Sequence, residues 1–156
     1  VAEGVMEGMT EGVYFEPLGL YLLVERSSGK IVRISLSCEP PAQDSELARQ
    51  IADYLRGQAP CPRVDLDMSG LTDFQRQIYD VVQGIERGKT MTYGEVAACA
   101  GKPGAARAVG RAMGVNPFLI IVPCHRVVAR NGLGGFALGV EIKEKLLALE
   151  KEERGK

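Results

Sequence analysis

The stretch that most restricts what this chain can become is Phe118-Leu119-Ile120-Ile121-Val122, five apolar residues that run straight into Pro123-Cys124-His125-Arg126. A short apolar run closed by a proline reads as a buried core strand stopped at its end. Any fold of this chain must then set a thiol, an imidazole and a guanidinium at the mouth of a core element, ahead of a second apolar pair, Val127-Val128. Such a group suits nucleophilic chemistry. The thiolate is the reactive form of cysteine, a free thiol of pKa about 8.5 is mostly protonated at neutral pH, and a neighbouring base or positive charge raises the thiolate fraction. Adjacent residues of a strand point to opposite faces. For Cys124 and His125 to cooperate, the backbone must leave strand geometry at Pro123 or a water must bridge them. Taken alone, the pair also fits a small buried cysteine beside a surface histidine.

The chain of 156 residues is long enough for one ordinary domain or two small ones. No window approaches the roughly 18 apolar residues of a membrane span. Residues 1–12 are acidic and Gly-rich and lack the basic start of a secretory signal, so the expected location is cytoplasmic, or nuclear in a eukaryote. The net charge of −1 argues against a nucleic-acid partner, but its distribution argues the other way. Residues 1–70 hold 6 basic and 11 acidic side chains, net −5, whereas residues 86–130 hold 7 basic and 2 acidic, net +5. A basic middle is the electrostatic footprint of a nucleic-acid contact, although a solvated surface face would carry the same charges. The cysteines, Cys38, Cys61, Cys99 and Cys124, form no C-x-x-C, and His125 is the single histidine, so no standard Cys/His zinc cluster is available. Free buried thiols, rather than a Cys38–Cys61 disulfide, are expected.

Residues 13–37 read as strands: Val13-Tyr14-Phe15, a break at Pro17, an apolar-rich run over 18–25, a turn at Ser27-Ser28-Gly29-Lys30, and alternation over 31–36 that makes a hairpin. A helix from Asp44 or Ser45 carries Leu47, Ile51, Tyr54 and Leu55 on one face and ends at Gly57. Residues 60–69, with Pro60 and Pro62, read as a linker holding a short strand at Val64-Asp65-Leu66. Thr72-Asp73-Phe74-Gln75 is a capping box, and the helix after it places Phe74, Ile78, Val81, Val82 and Ile85 on one face before Gly88 stops it. Thr92-Tyr93-Gly94-Glu95 is a second capping box, opening a short helix through Ala100. A third helix over 105–113 follows a turn with Gly101 and Gly104, and the pair forms a helix-turn-helix. In the third helix Ala105, Ala106, Ala108, Gly110 and Ala112 are small, while Arg107 and Arg111 project four apart from one side. An Ala-rich packed helix is the plainer reading; the local +5 charge favours a DNA-contacting one. Beyond a Gly-rich loop at 130–135, a last helix from about Glu141 has Ile142, Leu146 and Leu149 on one face, widened by Leu147 and bordered by Glu150. The expected architecture is a small α/β N-terminal domain with its linker (1–69) and a mainly α C-terminal domain with a helix-turn-helix (70–156).

Pro123-Cys124-His125-Arg126-Val127 resembles the active-site signature of the O6-alkylguanine-DNA alkyltransferases, also called methylated-DNA–protein-cysteine methyltransferases. The likeness continues through Arg107-Ala108-Val109-Gly110, Ala112-Met113, Asn116-Pro117, Thr92-Tyr93-Gly94-Glu95-Val96-Ala97, Gly134-Gly135-Phe136 and Lys145-Leu146-Leu147-Ala148-Leu149-Glu150. These motifs fall in order over roughly residues 70–150; upstream only length and general pattern match. The resemblance implies a ribonuclease H-like N-terminal subdomain and DNA repair by direct, stoichiometric transfer of the alkyl group of O6-alkylguanine, with O4-alkylthymine as a second candidate lesion, to Cys124 as a permanent S-alkylcysteine. It implies that Cys124 is the acceptor, that His125 takes the thiol proton through a water, that Glu150 orients His125, that Tyr93 presses on the flanking phosphate and donates a proton toward the leaving guanine, and that Asn116 is a hinge. Arg107 becomes the finger that fills the vacated base stack, with Thr92, Ala106, Ala108, Gly110, Arg111 and Met113 against DNA. Pro123, Val127, Gly135 and Phe136 line the base pocket. The implied partner is double-stranded DNA, held by its minor groove with the alkylated guanine flipped out. The resemblance further implies a monomer that needs no metal, no cofactor and no membrane. Many family members carry tyrosine where Phe136 stands, so a hydroxyl contact to the base is missing here. Two other classes use parts of the same pattern. A cysteine hydrolase shares the Cys-His pair but wants an oxyanion hole; a lesion-sensing module keeps the helix-turn-helix but lacks the nucleophile that Cys124 supplies.

Overall fold

The computed structural model describes residues 9–152; most of the acidic start of the chain lies outside them. The chain divides into two compact units, one running up to Ser69 and including Pro117–Leu119, the other formed by Gly70–Asn116 and the chain from Ile120 onward.

In the first unit β1 (Glu11–Phe15), β2 (Leu20–Ser27) and β3 (Lys30–Ser37) make an antiparallel meander, and β4 (Gln43–Asp44) pairs parallel with β1, in the order β3-β2-β1-β4. The hairpin turns on Ser28 and Gly29, both at positive φ (53° and 81°), the two-residue connection whose twist matches that of its strands. Pro17 sits in a 3-10 turn, Glu16–Leu18, between β1 and β2. The outer edge of β3 is not left open: Ile31 bridges Leu66 and Ile34 bridges Phe118, so the expected strand at 64–66 is a single bridge, and part of the apolar run of 118–122 covers a sheet edge that would otherwise pair with other chains. Helix α1 (Glu46–Leu55) starts on Ser45, whose hydroxyl accepts from the Ala48 N–H, and packs on β1 and β2. Ala48 and Ala52 are buried with Ile51 and Leu55, whereas Leu47 and Tyr54 are only half-buried. Glu11 is buried at the end of β1, paired with Arg26 at 2.6 Å and accepting from the Ser45 hydroxyl at 2.6 Å.

The second unit contains α2 (Asp73–Gln83), β5 (Met91–Thr92), α3 (Tyr93–Cys99), α4 (Ala106–Gly114), β6 (Val127–Val128) and α5 (Val140–Glu152). Both capping boxes form as the sequence predicts. Helix α2 ends at Gly84, one turn before Gly88. Its buried face is Ile78, Tyr79 and Val82, with Ile85 just beyond, and Phe74 and Val81 are half-buried. Tyr79 was not on the expected face; its burial is made tolerable by a hydrogen bond from its hydroxyl to the Ala112 carbonyl of α4 at 2.7 Å.

Three expectations are corrected. Residues 118–122 are not a strand: Leu119 N–H bonds the Ile34 carbonyl of the first unit's sheet, and Ile120 then turns at φ 74°. An apolar run says that a segment is buried, not what its backbone pairs with. The inward stripe of α5 is Lys143, Leu146 and Glu150, both charged groups finding hydrogen-bond partners inside, and the apolar Ile142 and Leu149 are only half-buried. All four cysteines are free as expected, but Cys38, Cys61 and Cys99 are exposed and Cys124 alone is buried.

Candidate active site

The proline builds the turn that carries the thiol. Pro123 lies at φ −79°, ψ 70°, the geometry of an inverse γ-turn, and the Cys124 N–H closes it onto the Val122 carbonyl at 2.7 Å. The Arg126 N–H then bonds the Pro123 carbonyl at 2.8 Å, and Cys124–Arg126 forms a 3-10 turn. At three residues per turn, neighbouring side chains splay by about 120° and are no longer opposed as on a strand. Parallel pairing of Met91 with Val127 and Thr92 with Val128 brings the start of α3 beside this turn.

His125, Arg126 and Glu150 form a sealed set, each at most 2% exposed. His125 Nε2 lies 3.0 Å from Glu150 Oε2. Arg126 Nε donates to Glu150 Oε1 at 3.0 Å, its Nη2 donates to Oε2, and its Nη1 donates to the Ile85 carbonyl at 2.7 Å. Burial pushes the Glu150 carboxyl up, but hydrogen bonds from His125 and Arg126 outweigh it and hold the group at about 2. An ionised carboxylate only accepts, so His125 must donate from Nε2, which leaves the lone pair on Nδ1. Burial depresses the imidazole below its ordinary range, with Glu150 pulling the other way; the ring is neutral at pH 7. Arg126, two residues after the thiol in sequence, is therefore spent on Glu150.

Cys124 is 4% exposed. Burial pushes its thiol up, and the hydrogen bond with Asn116, the charge of Lys143 and the N–H groups of Cys124 and His125 only partly offset that. The expectation of a raised thiolate fraction is thus corrected: desolvation wins in the resting protein. Asn116 is also buried, and its Nδ2 donates to the Val122 carbonyl at 2.8 Å, tying the two ends of the 117–121 excursion together. Lys143 is fully buried on α5; its Nζ donates to the Val127 and Gly135 carbonyls at 2.7 and 2.9 Å and lies 5.7 Å from the centre of the Tyr93 ring. Burial brings it down to about 8.

Tyr93 opens α3, and its hydroxyl donates to the Gly135 carbonyl at 3.5 Å. Its pKa is raised, first by burial. The Gly-rich loop closes against its ring at Gly134, where φ is 75° and a Cβ would stand 2.6 Å from the Tyr93 hydroxyl oxygen; glycine alone allows that approach.

Cys124 borders a cavity of about 280 Å³ lined also by Tyr93, Gly110, Met113, Gly114, Gly135, Phe136 and Ala137. Of the expected pocket residues, Gly135 and Phe136 line it. Pro123 and Val127 do not: Pro123 is buried in the turn, and Val127 is in the core with its carbonyl holding Lys143. Gly110 and Met113, expected against DNA, line the cavity. Arg107 and Arg111 are exposed on α4, with Ala106 and Ala108 half-buried. Thr92 caps α3, and together with Tyr93, Ala106 and Arg130 it borders a second, shallower depression of about 630 Å³. Sequence reading missed the inward roles of Lys143 and Arg126. The available signal was Lys143, Leu146 and Glu150 at i, i+3 and i+7, one helix face with charge at both ends. Among the described residues no group of three or more His, Cys, Asp or Glu could hold a metal ion, and no helix is long and apolar enough to cross a membrane.

Residues 73–152 match the family model described as 6-O-methylguanine DNA methyltransferase, DNA binding domain. A methylated-DNA–protein-cysteine methyltransferase of Salmonella typhimurium is 48% identical over 105 residues, 67% of this chain and 61% of that relative, so the chain spans about three fifths of its length. One of Thermococcus gammatolerans is 38% identical over 150 residues, 95% of this chain and 82% of the relative. Among solved structures, Mycobacterium tuberculosis OGT in complex with DNA superposes with a TM-score of 0.79 at 35% identity, covering 92% of each chain. The O6-methylguanine-DNA methyltransferase of Pyrococcus kodakaraensis gives 0.69 at 29% identity, covering 84% of this chain and 91% of the other.

Proposed function

The chain belongs to the methylated-DNA–protein-cysteine methyltransferase family, and from that premise we propose that it repairs DNA by moving the alkyl group of O6-alkylguanine onto its own Cys124. The observation that carries this reading is the thiol at the wall of a base-sized cavity, next to a buried neutral imidazole whose far nitrogen is held by the Glu150 carboxylate. The lesion is unreachable in a stacked duplex, so the nucleotide is flipped into the cavity through the minor groove. Helices α3 and α4 act as the helix-turn-helix, and Arg107, exposed on α4, fills the vacated stack, with Thr92, Ala106, Ala108 and Arg111 on the backbone around it. The thiol proton passes through a water to Nδ1 of His125. The Cys124 sulfur then attacks the alkyl carbon; the S–C bond forms as the C–O6 bond breaks, and the electron pair leaves on guanine. Tyr93, kept protonated by its raised pKa, supplies the proton that guanine needs and presses on the flanking phosphate. Asn116 is the hinge at the start of the excursion. O4-alkylthymine presents the same alkyl carbon on an exocyclic oxygen and is a second candidate.

The product is a thioether with no acyl carbonyl for water to attack, so one chain reacts once, without a cofactor. Residues 70–156 carry DNA binding and alkyl transfer, and residues 1–69 form a ribonuclease H-like subdomain. The protein works as a monomer on double-stranded DNA in the cytoplasm, or in the nucleus of a eukaryote.

Excess duplex containing O6-methylguanine, incubated with the protein and followed by intact mass, tests the proposal. One methyl group per chain, mapped to Cys124 and absent from Cys124→Ser, is expected. Continued turnover without modification of the protein would overturn it in favour of a hydrolase, and tight lesion binding without reaction in favour of a sensing module.

A further inference from the structure

Glu150 lies on the buried face of α5. The carbonyls of Leu149 and Glu150 both accept from one side chain outside the helix: Arg87, in the segment between α2 and β5, donates from Nη1 to the Glu150 carbonyl at 3.2 Å and from Nη2 to the Leu149 carbonyl at 3.4 Å. Two residues earlier, the Ile85 carbonyl accepts from Arg126 Nη1 at 2.7 Å. The same short segment therefore grips the backbone that bears Glu150 and the guanidinium that pairs with the Glu150 carboxylate.

We propose that Arg87 is a positioning residue for alkyl transfer: it holds the α5 backbone at Leu149 and Glu150 and so fixes the Glu150 carboxylate against His125 Nε2. Its effect reaches Cys124 only through Glu150 and His125. The inference rests on the reading of Cys124 as the acceptor and of His125 as its base.

The test exploits His125 being the single histidine of the chain. In protein labelled with 15N at histidine, the hydrogen-bonded Nε2–H gives one assignable signal, which reports the Glu150 contact whether or not the protein reacts with DNA. Arg87→Met keeps the aliphatic stem and loses both bonds. It is expected to shift or broaden that signal and to slow single-turnover transfer from an O6-methylguanine duplex by about tenfold, roughly 1.4 kcal/mol of transition-state stabilisation, with affinity for the duplex unchanged. Arg87→Lys, which keeps the charge and reaches one carbonyl, is expected to lie between Met and wild type in both readouts, and it carries the same test if the Met variant does not fold. A wild-type signal and rate in Arg87→Met would overturn the inference, as would a slowed rate with an unmoved signal, which would place the action of Arg87 elsewhere. If wild-type protein fails to take the methyl group while the signal still responds to Arg87, the acceptor reading falls and the positioning of Glu150 stands.

Discussion

Gly134→Ala is expected to disable alkyl transfer, because the added methyl group strikes the side chain proposed as the proton donor. At φ 75° an alanine carries a backbone penalty of about 1–2 kcal/mol. Its Cβ would lie 2.6 Å from the Tyr93 hydroxyl oxygen, 2.8 Å from Tyr93 Cε2 and 3.1 Å from the Ala129 nitrogen. The backbone nitrogen cannot withdraw cheaply, so the loop and the Tyr93 ring must part by about 1 Å. A misplacement of about 1 Å at a reacting group is enough for a loss of roughly 100-fold. Gly139→Ala supplies the control: φ is 103° and nothing lies within 4 Å of the added carbon, so it carries the backbone penalty without the collision. Urea unfolding should show a loss of about 1–2 kcal/mol in Gly139→Ala and a further overpacking loss of roughly 1–3 kcal/mol in Gly134→Ala, while single-turnover transfer from an O6-methylguanine duplex should fall steeply in Gly134→Ala and little in Gly139→Ala. Transfer at the wild-type rate in Gly134→Ala, or equal rate losses in the two variants, would refute the reasoning.

Arg107→Ala should weaken repair in duplex DNA far more than reaction with free O6-alkylguanine base, since extruding a base costs a few kcal/mol and free base needs no extrusion; rates on both substrates decide it, and equal losses would remove the finger role. Phe136→Tyr should leave binding to undamaged DNA unchanged and alter the transfer rate only modestly, the hydroxyl being worth roughly 0.5–1.5 kcal/mol; a large gain in rate would contradict this. Glu150→Gln should destabilise the protein at neutral pH. Glu150 drops from 4.5 to about 2 on folding, which is worth about 3 kcal/mol. Because the folded value is the lower one, that stability is complete above about pH 4.5 and disappears as pH falls toward 2. Urea titrations across this window should show an acid limb in wild type that the Gln variant lacks; identical limbs would show that Glu150 is not the group responsible.

Much of the helical framework could be read directly, for local reasons. A capping box is written within four residues, and both were legible at Thr72 and Thr92 together with the helices they open. Ser28-Gly29 marked the hairpin turn in the same way. What stayed hidden depends on residues far apart in sequence. The pairing of Met91 with Val127 joins strands of two residues each, too short to leave a period. The run at 118–122 looked like one strand because burial and strand formation share an apolar signature; only the distant Ile34 carbonyl and the Asn116 side chain explain why its backbone turns at Ile120. Tyr79 escaped the predicted core because its hydroxyl needs the Ala112 carbonyl, 33 residues away. At the site, Cys124, His125 and Glu150 were named from the signature, but Lys143 was passed over because a lysine on a helix is ordinarily a solvated one.

Lys143 also explains how a thiol with a raised pKa suits this chemistry. Around the sulfur, Arg126 and Glu150 cancel as a buried pair, and His125 is neutral. Lys143, at about 8, is largely protonated at pH 7, so the resting site holds one buried positive charge without a buried counter-charge. Its two carbonyl partners solvate that charge but do not neutralise it. When the thiol proton passes to His125, the Cys124 thiolate and the Lys143 ammonium stabilise each other as opposite charges in the same low-dielectric surroundings. The thiol is thus kept protonated by burial while nothing is bound, and a compensating cation stands ready within the protein for the moment its proton leaves. The selectivity proposed for Cys124 therefore comes less from a standing population of thiolate than from a buried cation placed to stabilise the thiolate once it forms.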